Sequence, residues 1–195
     1  MEYWKQKEGK YGMVLETFVK TYTRQVSSAW LYILILTAVF FGLMIYLRRR
    51  GATRHYQSSR RALFCGALMA VSLAGILALT LCGREWGSSL EIRFRFIPFW
   101  SYWKTFSQGD EGLGIQIVNN ILLFIPFGFA LPLNFPPFEK ARNTVAAAAL
   151  LSLTVELFQG FTGLGLCEID DIIGNTLGAG IGAWLWKHCT GKEKR

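Results

Sequence analysis

Charge, cysteine and histidine are all scarce in this chain: 17% of its 195 residues are charged, four are Cys and two are His. So little charge argues against an ordinary soluble domain, because a chain this short has too small an interior to hide a composition that is 52% hydrophobic. The few cysteines, Cys65, Cys82, Cys167 and Cys189, show no metal-ligand spacing and read as small unpaired hydrophobic thiols. His55 and His188 lie in basic surroundings and read as solvated, so there is no Ser-His or Cys-His pattern for nucleophilic catalysis. Internal repeats and low-complexity tracts are missing as well, which leaves little sign of the duplicated halves common in secondary transporters.

Long apolar runs are what the chain has instead. Trp30 to Leu47, Ala62 to Cys82, Ile115 to Leu133, Thr144 to Gly160 and the shorter Ile172 to Trp186 each approach the roughly 20 residues that a helix needs to cross a hydrocarbon core. Backbone polar groups in lipid must be satisfied within the segment, so helices are the expected form. The expected fold is an all-α polytopic membrane helix bundle with about five transmembrane helices. An amphipathic segment over 1–29 precedes them, with Tyr11, Val14, Leu15, Phe18, Val19 and Tyr22 at the spacing of one helical face. The organisation predicted is this segment, an extra transmembrane helix over 30–47, a membrane domain over 62–186 and a basic cytoplasmic tail over 187–195.

The net charge of +8 sits beside the apolar runs and not on a basic domain with aromatic platforms, so the partner it implies is the lipid bilayer and not nucleic acid. Arg48, Arg49, Arg50, Arg54, Arg60 and Arg61 share one loop without an acidic residue, which marks that loop as cytoplasmic. Alternation then puts Lys140, Arg142 and the C-terminal tail on the same side. The segment 83–114 and the loop Phe161 to Asp171 fall outside, in a multi-pass protein of the cytoplasmic membrane. Cys82 and Cys167 share that outer side, where an oxidising exterior also permits a disulfide.

On this topology the costly polar groups converge. Asn119 and Asn120 begin the third span; Glu156 and Gln159, three residues apart on one face, end the fourth; Asp170, Asp171 and Asn175 open the fifth. These residues, with Arg93 and Arg95 as possible partners of Glu156, form the candidate binding site, and Glu156, Asp170 and Asp171 are the candidate acid and base of any catalysis. Four of them have a structural alternative: Asp170 or Asp171 as N-cap of the last helix, Asn175 as interhelical glue, Glu156 as half of a buried pair. Glu168, Asp170 and Asp171 offer oxygen ligands, but their spacing matches no metal loop, so no metal or cofactor is expected. Gly174, Gly178 and Gly182 make a smooth stripe, for which Ala146 to Ala149 and Ser152 offer a matching surface, and Pro126 is expected to kink the third span.

The segments FRFIPF (94–99), NNILLFIPFGFALPL (119–133), LLSLTVELFQGFTG (150–163) and EIDDIIGNTLGAGIG (168–182) together resemble the VanZ family over roughly Ala62 to Trp186. The Arg-containing turn that often precedes the acidic element in that family is replaced here by Leu164 to Cys167. The resemblance implies a membrane protein of Gram-positive bacteria, linked through the family's founding member to teicoplanin resistance, and it supplies no reaction. The leading expectation is a non-enzymatic binding or accessory protein acting at the outer face on a lipid-linked cell-wall precursor or on a glycopeptide. An intramembrane enzyme using Glu156 with Asp170 or Asp171 is the second, and a transporter or flippase the third. The oligomeric state is open.

Overall fold

A computed structural model describes residues 2–53, 59–82 and 94–190; for 2–18, 21, 22, 24–28 and 59 it describes the backbone alone. Among the described residues six helices account for most of the chain: α1 (Glu2–Arg49), α2 (Ser59–Leu81), α3 (Trp100–Gln108), α4 (Glu111–Asn134), α5 (Ala141–Thr162) and α6 (Ile169–Thr190). Two-residue strands β1 (Phe94–Arg95) and β2 (Cys167–Glu168) pair in parallel, and Pro136–Glu139 makes a single 3-10 turn. Four segments are long and apolar enough to cross a membrane: Ala29–Arg49, Arg60–Leu81, Glu111–Asn134 and Ala141–Thr162. The protein is an all-α membrane helix bundle.

The apolar runs became helices much as lipid requires, and their ends are set by local chemistry. Asp110 caps α4 by accepting from the Leu113 backbone N–H at 3.2 Å, and Glu111 adds negative charge at the positive end of the helix dipole. Gly109 and Gly163, at φ 68° and 67°, stop α3 and α5 in the left-handed conformation that glycine adopts without a Cβ penalty. Helix α4 continues through both Pro126 and Pro132. The amphipathic segment and the first span are one continuous helix of 48 residues, with no break between them.

The core joins Met44 of α1, Met69 and Ile76 of α2, Phe124, Phe127 and Leu131 of α4, Ala148 of α5 and Ala179 of α6. Asn134 at the end of α4 donates to the Cys65 carbonyl at the start of α2, and Gln159 at the end of α5 donates to the Thr80 carbonyl at the end of α2. These two bonds identify the ends of the bundle. Arg48, Arg60 and Arg61 belong to the Asn134 end, and Glu156, Gln159, Asp170, Asp171 and Asn175 belong to the Gln159 end.

The glycine stripe faces a different helix from the one its pattern suggested. A Cβ on Gly178 would collide with the Ile121 carbonyl oxygen, one on Gly182 with that of Ile125, and one on Gly128 with that of Ala179. Gly178 and Gly182 therefore admit α4, running parallel to α6, to backbone contact. Helix α5 touches α6 on another face, through Ser152 and Asn175. The stripe meets α4, which presents a glycine of its own, so both backbones can approach.

Candidate functional site

At the Gln159 end of the bundle the predicted polar residues converge, but they divide into two sets with different tasks. The first is a buried acid network that ties α3 and β1 to the start of α6. Asp170, 3% exposed, accepts the backbone N–H groups of Phe99 at 2.6 Å and Ser101 at 2.7 Å. It therefore caps α3, 70 residues earlier in the chain, and not the helix it belongs to. Phe99 is the one non-glycine among the described residues with positive φ, at 62°, and Asp170 holds it there. A left-handed non-glycine residue costs about 1–3 kcal/mol, which two charge-assisted hydrogen bonds exceed.

Glu168 and Glu156 complete this network. The Glu168 carboxylate accepts from Arg95 Nη1 at 2.9 Å and from Ser101 Oγ at 3.1 Å. Arg95 thus pairs with Glu168, because the parallel register of β1 and β2 sets those two residues side by side, and it is not the partner of Glu156. Glu156 instead accepts the Glu168 backbone N–H at 3.0 Å. Arg93, its other expected partner, lies outside the described residues. The Arg95 guanidinium also stacks over Trp100, 3.8 Å from the ring centroid. Gly160 keeps this corner tight: a Cβ there would stand 3.0 Å from both the Phe94 ring and Cys167 Cβ.

The second set lines an open cleft of about 640 Å³ between α2 and α4, edged by Ile33 of α1. One end is mainly apolar, with Leu68, Val71, Leu122 and Leu123 beside Ser72, whose hydroxyl donates to the Leu68 carbonyl; the other holds Thr80, Gln116, Asn119, Asn120 and Asp171. Gln116 donates through Nε2 to both Asp171 oxygens at 3.0 Å. The buried polar atoms Asn119 Oδ1 and Asn120 Nδ2 have no hydrogen-bond partner among the described residues. Such unmet groups are costly in a folded interior. Asn175 donates to Ser152 Oγ at 2.8 Å between α5 and α6, the interhelical use of a buried amide, and its Oδ1 is also unpartnered.

The structure thus brings Asn119, Asn120 and Asp171 into one cleft, and places Glu156, Asp170 and Arg95 in the adjacent network with Glu168. Gln159 is spent on the Thr80 carbonyl. Sequence reasoning missed Gln116, Ser101 and helix α3, which lies within the segment 83–114. The signal for α3 was present in WSYWKTFSQ, amphipathic over nine residues and closed by Gly109. No group of three or more His, Cys, Asp or Glu among the described residues is arranged to hold a metal ion.

Electrostatics at this end favour the neutral forms of Cys167 and Tyr102. Burial, then the charges of Glu156, Asp171 and Glu168, push the Cys167 thiol above its ordinary range; burial and then Asp170 and Asp171 raise the Tyr102 phenol. All four cysteines are free, with Cys167 buried and Cys189 exposed, so the disulfide open to Cys82 and Cys167 does not form. A raised thiol pKa means that the thiolate is withheld until higher pH. A maleimide at pH 8 is therefore expected to label Cys189 within minutes and to leave Cys167 unmodified, as read by mass spectrometry of the intact protein. Equal labelling at the two positions would contradict the burial and charge assigned to Cys167.

A family model described as VanZ/LLP1 matches residues 69–190, from within α2 to the end of α6. Protein VanZ of Enterococcus faecium is 29% identical over 127 residues, spanning 61% of this chain and 78% of that protein. No solved structure matches.

Proposed function

The chain belongs to the VanZ/LLP1 family, and from that premise we propose that it is a multi-pass protein of the cytoplasmic membrane that protects the cell envelope by binding an amphiphile at the outer face, without covalent chemistry. The amphiphile is a lipid-linked cell-wall precursor or a lipophilic glycopeptide such as teicoplanin. The observation that carries this reading is the two-ended cleft. Its apolar half suits a hydrocarbon tail and its amide and carboxylate half suits the sugar or peptide groups of a polar head. The arginines gathered at the opposite end of the bundle support the outward orientation.

A binding role also accords with how the carboxylates are engaged. Both oxygens of Asp170 accept backbone N–H groups, and Glu156 accepts another, so these acids serve as fixed acceptors in the network. Asp171 is the carboxylate that lines the cleft, and there it is oriented by Gln116.

The test is drug susceptibility in a sensitive Gram-positive host expressing the chain. Gly75→Trp, which fills the middle of the cleft, is expected to abolish protection against a lipoglycopeptide at normal membrane abundance. Glu156→Gln, which keeps shape and acceptor capacity, is expected to retain part of it. Protection that survives Gly75→Trp would refute the cleft as the working surface, and complete loss with well-expressed Glu156→Gln would favour an acid-base enzyme.

A further inference from the structure

A surface outside the cleft is unusually apolar for its position. Helix α3 is pinned along one side: Asp170 holds its N-terminal backbone, and its buried Ser101 donates to Glu168. The side chains it and the preceding segment turn away from the bundle are large, apolar and exposed: Phe96 and Ile97 at 63%, Phe99 at 59%, Trp103 at 69% and Phe106 at 84%. Five such residues within eleven positions concentrate apolar surface that water would not leave uncovered.

The height of the patch is fixed by its attachments. Gly109 and Asp110 alone separate α3 from α4, and a Cβ on Gly114 would stand 3.0 Å from Thr105 Cγ2, so α3 lies across the first turns of a membrane span. With nine residues, about 14 Å at 1.5 Å per residue, it is too short to cross a hydrocarbon core. Its composition is that of a membrane interface. Trp100 carries Arg95 at 3.8 Å on its ring and Lys104 at 4.8 Å, an arrangement that sets cations beside aromatic rings at headgroup level. Arg95 is neutralised by Glu168. The charge of Lys104 is matched by no ion pair among the described residues and complements a lipid phosphate.

We propose that α3 and Phe96–Phe99 form a ledge seated in the headgroup layer of the bilayer, with phospholipid as its occupant. Aromatic side chains dip among the upper acyl segments, and Lys104 meets the phosphates. The turns of α4 beneath the ledge include Gly112, Ile115 and Gln116, which line the cleft, so lipid headgroups resting there stand next to the cleft's polar end.

Spin labelling of the full chain in vesicles of phosphatidylcholine and phosphatidylglycerol tests this directly. Nitroxides at Trp103→Cys and Phe106→Cys, in a background of Cys82→Ser and Cys189→Ser, are compared with one at Gln108→Cys on the exposed C-terminal end of α3. The two ledge labels are expected to collide with oxygen at least threefold more than with a water-soluble nickel chelate, while the label at Gln108→Cys favours the chelate. Ready access of the chelate to both ledge labels would place the patch in water and overturn the proposal. Shielding from both reagents would overturn it too, because a protein partner or a second copy would then be the occupant.

Discussion

Gly178→Ala is expected to cost the protein more than about 3 kcal/mol and to remove most of the monodisperse species recovered in mild detergent. The added methyl group would land on the Ile121 carbonyl oxygen, and it would lie 2.9 Å from the carbonyl carbon and 3.1 Å from Ile121 Cα. All of these atoms are backbone in the middle of a helix. No side chain can rotate aside, so α4 and α6 must separate along the contact that Gly128 and Gly182 share, and the loss extends beyond a single residue. Gly180→Ala supplies the control: its methyl group would meet only Val145 Cγ2 at 3.8 Å, ordinary packing distance, and alanine is the better helix former. Thermal denaturation followed by size-exclusion fluorescence should therefore separate two substitutions that are chemically identical and two residues apart. Equal stability of the two variants would mean that the α4–α6 contact is looser than described.

Removing the carboxylate in Asp170→Ala should release α3 from the bundle, at a cost of about 3–5 kcal/mol. Two charge-assisted bonds to the backbone of Phe99 and Ser101 vanish together, and Phe99 loses the acceptor that offsets its φ of 62°. Ser101, 2% exposed, would keep a buried N–H without an acceptor, which adds the desolvation cost of that group. Asp170→Asn retains one acceptor oxygen and should fall between wild type and Asp170→Ala. Limited proteolysis distinguishes this loss from general unfolding, since cleavage should begin between residues 96 and 108 while the spans remain protected. Unchanged proteolysis and stability in Asp170→Ala would show that α3 is held by other contacts, and that Asp170 is free for a role in binding.

Both Gly178 and Asp170 act through contacts of which a local pattern carries only one half. That Gly178 and Gly182 form a helix-packing stripe is visible from their four-residue spacing, because helical periodicity is a local property. That the stripe meets α4 and not α5 depends on Gly128, whose place opposite Ala179 no local pattern reveals. Asp170 is likewise visible as a costly acid beside an apolar run. Its service as cap of a helix 70 residues upstream depends on a contact made only when the chain folds back. The parallel pairing of Phe94 with Cys167 and Arg95 with Glu168 is of the same kind: two residues long, it leaves no alternation to detect.

By itself the sequence determined that the chain lives in lipid, that its spans are helices, and that amides and acids gather at one end of the bundle with arginines at the other. Those properties are sums over local segments, since partition into hydrocarbon and the pull of charged flanks depend on composition and order along the chain. Only the tertiary structure decided which acids are consumed in holding α3 and which face the cleft. Gln116 and Asp171, separated by 55 residues, become hydrogen-bonding neighbours through the close approach of two helix backbones, and hydrogen-bond partners follow distance in space.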